Sequence, residues 1–469
     1  MLEGAGWSAM DRRRKTSRSV RAGTIAVTLL AVTLGGCVSY RPSPLPAGPD
    51  LAISPRRLTV DAARLRVQPL KSITIDVSDG LDPLEVAVLA VLNSPDLVAK
   101  RHAAKVSDAQ VFSAGLLPDP QLSLSIDRPV AGPDTQTAYA ANLGLDLAGL
   151  LARNYAHRAA RQSARQTDLD LLWSEWNTAQ QARQLAETAM AGEARAVVLR
   201  KVLALAAERY VGSARALQNR DVTLQTNAAD LAAKLDARTQ LTTAEHDAAK
   251  ARGDLNALLG LRAEVVLPLV AAPPSAGYDA AAVAQALASL PDRRPDLLAL
   301  KAGYGAQDAS LRKAILAQFP LNNLAAAYAR DPAGTTTKGL ALTLALPIFN
   351  GGRGEARVQL ATREQLRAEY LARLDQTDAE VRGAERERST ARAAVTALSV
   401  DVPRLESLWR PAMAAYDRRD IDSQTYLTLS QNVLAKRAEL DDKALAARLA
   451  EIALETALFL PPAESRAAP

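Results

Sequence analysis

Apolar and polar residues alternate strictly between Gln121 and Asp127, where Leu122, Leu124 and Ile126 are interleaved with Gln121, Ser123, Ser125 and Asp127. Such period-two alternation gives a strand two unlike faces. The same pattern runs from Leu340 to Leu346, with four leucines interleaved with Ala341, Thr343 and Ala345. Weaker versions cover Tyr139 to Leu147, with Leu143, Leu145 and Leu147 on one side, and Pro320 to Arg330, with Leu324, Ala326 and Tyr328 on one side. Loops rich in Gly, Pro, Asp and Thr, at 129–135 and 331–337, separate the strands of each pair.

Elsewhere the apolar positions recur in steps of three and four. Leu241, Ala244, Ala248, Ala251, Leu255 and Leu258 form one helical stripe. No proline interrupts the chain between Pro133 and Pro268. Two helices are predicted there, over 150–211 and 221–259, with a turn from Tyr210 to Asp221 around Gly212. The second half repeats the plan with helices over 352–416 and 423–458 and a turn from Tyr416 to Asp422. Pro403 and Pro411 predict a kink in the first of these. A helix of about 60 residues spans roughly 90 Å. No single globular core covers that length, so it must lie along other long helices. Alanine is abundant and aromatic residues are only 4% of the chain, a composition that permits close side-by-side helix packing.

The two halves are an internal repeat. Ser94-Pro95-Asp96-Leu97 recurs as Arg294-Pro295-Asp296-Leu297, and Asp108-Ala109 recurs as Asp308-Ala309. Proline in a first helical turn followed by an acid is a helix start, because the missing N–H would be unpaired anyway and the acid faces the positive helix end. The repeats run 94–268 and 294–460, joined by 269–293 and followed by a tail, 461–469. Each carries one hairpin, and an open hairpin is marginal in water. Either the strands pack on a core within the chain, or several chains pool them. Three chains would supply about twelve strands, and apolar-out, polar-in alternation suits a transmembrane barrel.

Charge and cysteine content add a compartment. Arg12, Arg13, Arg14, Lys15, Arg18 and Arg21 precede an apolar run, Thr24 to Leu34, and the only cysteine follows at Cys37. Basic, apolar and small segments in that order read as a secretory signal over 1–36. The alternative is a short anchor helix with an incidental Cys. The formal charge of +6 comes largely from this segment: without its six basic and two acidic residues, the 57 basic and 51 acidic residues become 51 and 49, or +2. A near-neutral chain gives no reason to expect nucleic acid. The three histidines, His102, His157 and His246, are scattered, with no metal-ligand spacing. No phosphate-binding or nucleophile motif is present, so neither an enzyme nor a cofactor is expected.

Leu34-Gly35-Gly36-Cys37 resembles a lipobox, in which the cysteine is lipidated after cleavage; Val38 then favours the outer membrane, and 37–93 is the lipidated segment. Arg294-Pro295-Asp296-Leu297 and Leu346-Pro347-Ile348-Phe349-Asn350-Gly351-Gly352-Arg353, set in the duplicated order of strands and long helices, resemble the outer-membrane factor (TolC) family of efflux ducts over residues 80 to 460. That resemblance implies a mainly helical chain with a small β part. Its hairpins of long helices would form a periplasmic tunnel, and its four strands would join a trimeric twelve-stranded barrel in outer-membrane lipid. Residues 38–92 and 260–293 would wrap the tunnel as a belt. It further implies a homotrimer working with a periplasmic adaptor and an inner-membrane pump. Tyr210, Gly212, Tyr416 and Arg419 would lie at adaptor-docking tips, with Arg419 where the family has glycine. Asp221, Asp420 and Asp422 would either ring a gate or cap helix starts. Pro347, Gly351 and Gly352 would turn strand into helix. The expected activity is passive, gated export of small molecules or metal cations; the rival is a non-transport periplasmic coiled-coil lipoprotein, which leaves the strands unexplained.

Overall fold

The structure is a computed structural model that describes residues 40–462, except 62–64, 72, 74, 76–79, 134–135, 273–276 and 320. Cys37 and the expected signal lie outside the described residues. Met1–Asp50 and Leu51–Pro469 are separate units. The described part of the first, 40–50, contains neither helix nor strand and bends at Ala47 and Gly48.

In the second unit, α1 (Pro83–Asn93) and α2 (Pro95–Gly115) open the first repeat. Asp82 caps α1 by accepting from Leu84 N and Glu85 N, while Glu85 reaches back to Asp82 N (2.9 Å). α1 has no amphipathic period to find in sequence, because nearly every side chain from Leu84 to Leu92 is apolar and buried. Strands β1 (Gln121–Asp127) and β2 (Ala138–Asp146) follow, then α3 (Leu147–Gln218) and α4 (Leu224–Leu258). The connector forms α5 (Ala280–Arg293). The second repeat runs α6 (Pro295–Leu316), β3 (Leu321–Arg330), β4 (Thr336–Leu344), α7 (Arg353–Asp417) and α8 (Ser423–Leu458). At 72 and 65 residues, α3 and α7 are each roughly 100 Å long.

α3 is the central rod, packing on α1, α2, α4, α6 and α8; α7 lies along α6 and α8. The α3–α4 pair meets through small side chains: Ala237, Ala244, Ala248 and Ala251 of α4 are all buried. α1 sits on Ala182 and Ala186 of α3 together with Leu255, Leu259 and Leu267. α5 covers Val381 of α7 and Leu454 and Leu458 of α8 through Val283, Ala286 and Leu290. Parallel bridges Ala52↔Leu261 and Leu81↔Leu269 fasten the segment before α1 to the segment after α4. The two short helices therefore form a collar on the middle of the long ones.

Two boundaries differ from the sequence expectation. α3 continues through Tyr210 and Gly212 to Gln218, so the first turn occupies 219–223, not 210–221. A glycine inside a helix costs about 1 kcal/mol, too little to end one so well packed. α7 is one helix, Arg353–Asp417, with Pro403 and Pro411 inside it. β4 begins at Thr336 and ends at Leu344, leaving Leu346 outside, because its partner β3 begins at Leu321, opposite Leu344.

Candidate functional site

The two hairpins form one antiparallel sheet in the order β1-β2-β3-β4. The pairing Leu143↔Ala326 and Leu145↔Leu324 joins the repeats through β2 and β3. Residues directly opposite share a face, so the registers Leu122↔Leu143, Leu324↔Leu342 and Ala326↔Leu340 assemble one continuous apolar face. The other face carries Ser123, Ser125, Asn142, Asn323 and Thr343 among alanines and glycines. Among the described residues nothing covers the apolar face: Leu124 is 69% exposed, Ile126 77% and Leu340 81%. β1 and β4 are also edges without a strand neighbour among the described residues. A leucine face in the open beside two free edges is not a stable arrangement for a lone chain in water. Among the described residues, no helix is long and apolar enough to cross a membrane.

The sheet joins the helices differently in each repeat. β2 passes straight into α3, whose first turn is capped by Asp146 accepting from Gly149 N (2.9 Å). Beyond β4 the chain needs a left-handed turn: Gly351 and Gly352 have φ of +54° and +70°. A Cβ on Gly352 would stand 3.1 Å from Gln318 Cγ, so both conformation and space select glycine there. Pro347 follows the last ladder residue, Leu344, by three positions. The Arg294 motif anchors the collar end of α6. The Arg294 guanidinium is 1% exposed and donates to Asp296 Oδ1 (2.9 Å), Glu380 Oε2 (3.0 Å) and Ala457 O (2.9 Å). It lies 4.5 Å above Trp173, and Arg373 bridges the same two carboxylates. Burial tends to raise the Glu380 carboxyl, but the two guanidiniums outweigh it and hold it below its ordinary range. In the first repeat, Asp96 pairs with Lys100 on the surface.

At the far ends, the two turns between long helices are the same structure. Arg220 and Arg419 both adopt the left-handed conformation, with φ of +66° and +64°. Asp221 N–H donates to Ala216 O and Arg220 N–H to Leu217 O; Asp420 N–H donates to Ala415 O and Arg419 N–H to Tyr416 O. That paired bonding closes a helix end, usually on glycine. Arg419 therefore corresponds to Arg220, and Tyr210 and Gly212 lie within α3 instead of at its turn. Thr223 and Asp422 occupy matching cap positions, accepting from Thr226 N (3.2 Å) and Thr425 N (2.9 Å). The Thr425 N–H also holds the Asp422 carboxyl below its ordinary range. Asp420 pairs with Arg418 (2.8 Å), and Asp221 is exposed. Among the described residues no cluster of acidic, His or Cys side chains could hold a metal ion.

Above the turns, Tyr416 stacks on Tyr426, with ring centres 4.6 Å apart, and Lys234 lies 5.0 Å from the Tyr210 ring centre. Arg209, the neighbour of Tyr210, ties three helices together. Its Nε lies 2.7 Å from Asp230 Oδ1 on α4, and its Nη1 donates to Thr428 Oγ1 on α8 (3.1 Å). Asp230 is 1% exposed. The signal for this pair was present in sequence: Asp230, Ala237, Ala244 and Ala251 are spaced by sevens, so Asp230 is an acid on the packing stripe.

Solved structures share this arrangement. The outer-membrane channel OprN matches with a TM-score of 0.65 at 13% identity, over 92% of this chain and 100% of its own. The CmeC outer membrane channel of Campylobacter jejuni matches at 0.65 and 16%, over 80% and 85%. The MtrE outer membrane channel of Neisseria gonorrhoeae, in its open state, matches at 0.61 and 15%, over 80% and 88%. This chain has the outer-membrane factor fold. No protein-family model and no curated protein matches the sequence. The outer-membrane factor fold accounts for a mostly helical chain with four antiparallel strands in one sheet, as the duplicated pattern predicts.

Proposed function

We propose that the protein is the outer-membrane exit duct of a tripartite efflux system. Three copies pool their strands in a twelve-stranded barrel, and their long helices continue it as a periplasmic tunnel. The observation that carries this reading is the four-stranded sheet, with an uncovered leucine face and two free edges. Closure with two further copies pairs both edges, turns the leucines to lipid and the polar face to a lumen. A coiled-coil scaffold without transport leaves that sheet with no partner.

The duct itself supplies no energy. An inner-membrane pump drives small molecules or metal cations through it, and an adaptor docks at the helix turns near Arg220 and Arg419. Gating is a movement of the helix ends, opposed by Arg209, which binds α4 and α8 to α3. Asp221 and Asp420, repeated by threefold symmetry, line the narrow end; Asp422 is committed to capping α8. A lipid on Cys37 gives a second hold on the membrane.

Single-channel recording in a planar bilayer tests the reading. The purified protein should give discrete conductance steps, and it should run as a trimer before heating. A water-soluble monomer with no conductance would refute it.

A further inference from the structure

The apolar face of the sheet ends, on its loop side, in a patch of different chemistry. Tyr139 of β2 stacks with Tyr328 of β3, with ring centres 6.5 Å apart. Lys338 of β4, opposite Tyr328 in the ladder, places its ammonium 5.9 Å from the centre of that ring. Arg330 lies opposite Tyr139. Its Nη2 donates to Gln136 Oε1 (2.6 Å), and its Nε has no hydrogen-bond partner. Neither Arg330 nor Lys338 forms an ion pair among the described residues. The helix-side half of the same face, with Leu122, Leu143, Leu324, Leu342 and Leu344, carries no charge.

Two tyrosines at the end of an apolar band mark the boundary between hydrocarbon and headgroups. Two cations with no ion-pair partner among the described residues call for a counter-charge at that depth. A zwitterionic headgroup offers little net attraction, whereas a phosphate with net negative charge fits both the ammonium and the guanidinium. We propose that Arg330 and Lys338, framed by Tyr139 and Tyr328, bind the phosphate of an anionic lipid headgroup at the loop-side boundary of the bilayer. This rests on the reading that the sheet faces lipid. A closed trimer presents the site three times, and its one-sided placement favours one orientation of the barrel across the membrane.

The test uses the full-length trimer in mixed phosphatidylcholine and phosphatidylglycerol vesicles, extracted and analysed for retained lipid by native mass spectrometry. The wild type should retain phosphatidylglycerol over phosphatidylcholine. R330Q and K338Q should each lower that preference by about fivefold, and K338R should keep it. Conductance in pure phosphatidylcholine should be the same for all four proteins. Absence of conducting trimers there would refute the duct reading itself, before any lipid is counted. Conducting trimers whose lipid preference is unchanged in R330Q and K338Q would overturn the headgroup site alone. Displacement of the lipid by millimolar inorganic phosphate would assign the site to a free anion and also overturn it.

Discussion

Arg220 and Arg419 hold a backbone conformation that costs a non-glycine residue about 1 kcal/mol or more. Their identical bonding to the preceding helix ends shows that the two turns are one device used twice. Arg220→Gly and Arg419→Gly should each slow hydrogen exchange at the following amide, Asp221 or Asp420, by about fivefold, because the closed turn loses its strain. Unchanged or faster exchange would show that each arginine side chain offsets its own strain. The Arg294 cluster gives a second prediction. Glu380 is held below its ordinary range, so the stability it contributes is complete above the unfolded value of about 4.3 and is lost as pH falls through the folded value. Heat dissociation measured from pH 7 to pH 3 should weaken below about pH 4.3. In Arg294→Met that acid-sensitive loss should shrink, and the variant should be less stable by about 1–3 kcal/mol at pH 7, since Asp296 and Glu380 keep their charges with Arg373 alone to pair them. At this scale the sequence was partly legible. Proline and aspartate named the helix start at 295–296, but the partners of Arg294 on α7 and α8, Glu380 and Ala457, are 86 and 163 residues away. Tyr210 and Gly212 drew attention as a turn only because glycine often marks one.

Strand and helix identity followed from periodicity. Leu342→Arg should cost roughly 2–4 kcal/mol if that position lies near the bilayer midplane, and Leu344→Arg less, because it pairs with Leu321 at the helix-side end. Ala341→Arg, on the polar face, should assemble normally; trimer yield on an unheated gel separates the three. Gly352→Ala should lower the same yield, since alanine would have to adopt φ of +70° and crowd Gln318. The start of β4 was not legible, because Thr336 and Lys338 stand on the apolar face without being apolar. Equally, α1 is apolar all round, and a helix without an amphipathic period looks like any apolar run.

For the whole molecule, the decisive quantity is the unmet bonding of one copy. Two sheet edges and one leucine face are open in the chain, whereas the collar and the long helices bury their own stripes. Cys37→Ala should abolish lipid labelling and still allow conducting trimers, since in the proposed duct the barrel is a second hold on the membrane; metabolic labelling with palmitate, together with conductance, checks both halves. Local rules determined much of this protein in advance. Period-two and period-3.6 patterns set the elements, and their recurrence about 200 residues apart in the Pro-Asp-Leu motif set the duplicated plan. These depend only on residues near in sequence, which is why they can be read there. The merging of two hairpins into one sheet, the seating of α1 and α5 on the long helices, and the placing of Arg209 against Asp230 depend on register between distant segments. Register is settled by complementary packing and ion pairing across hundreds of residues, and it took the folded chain to define it.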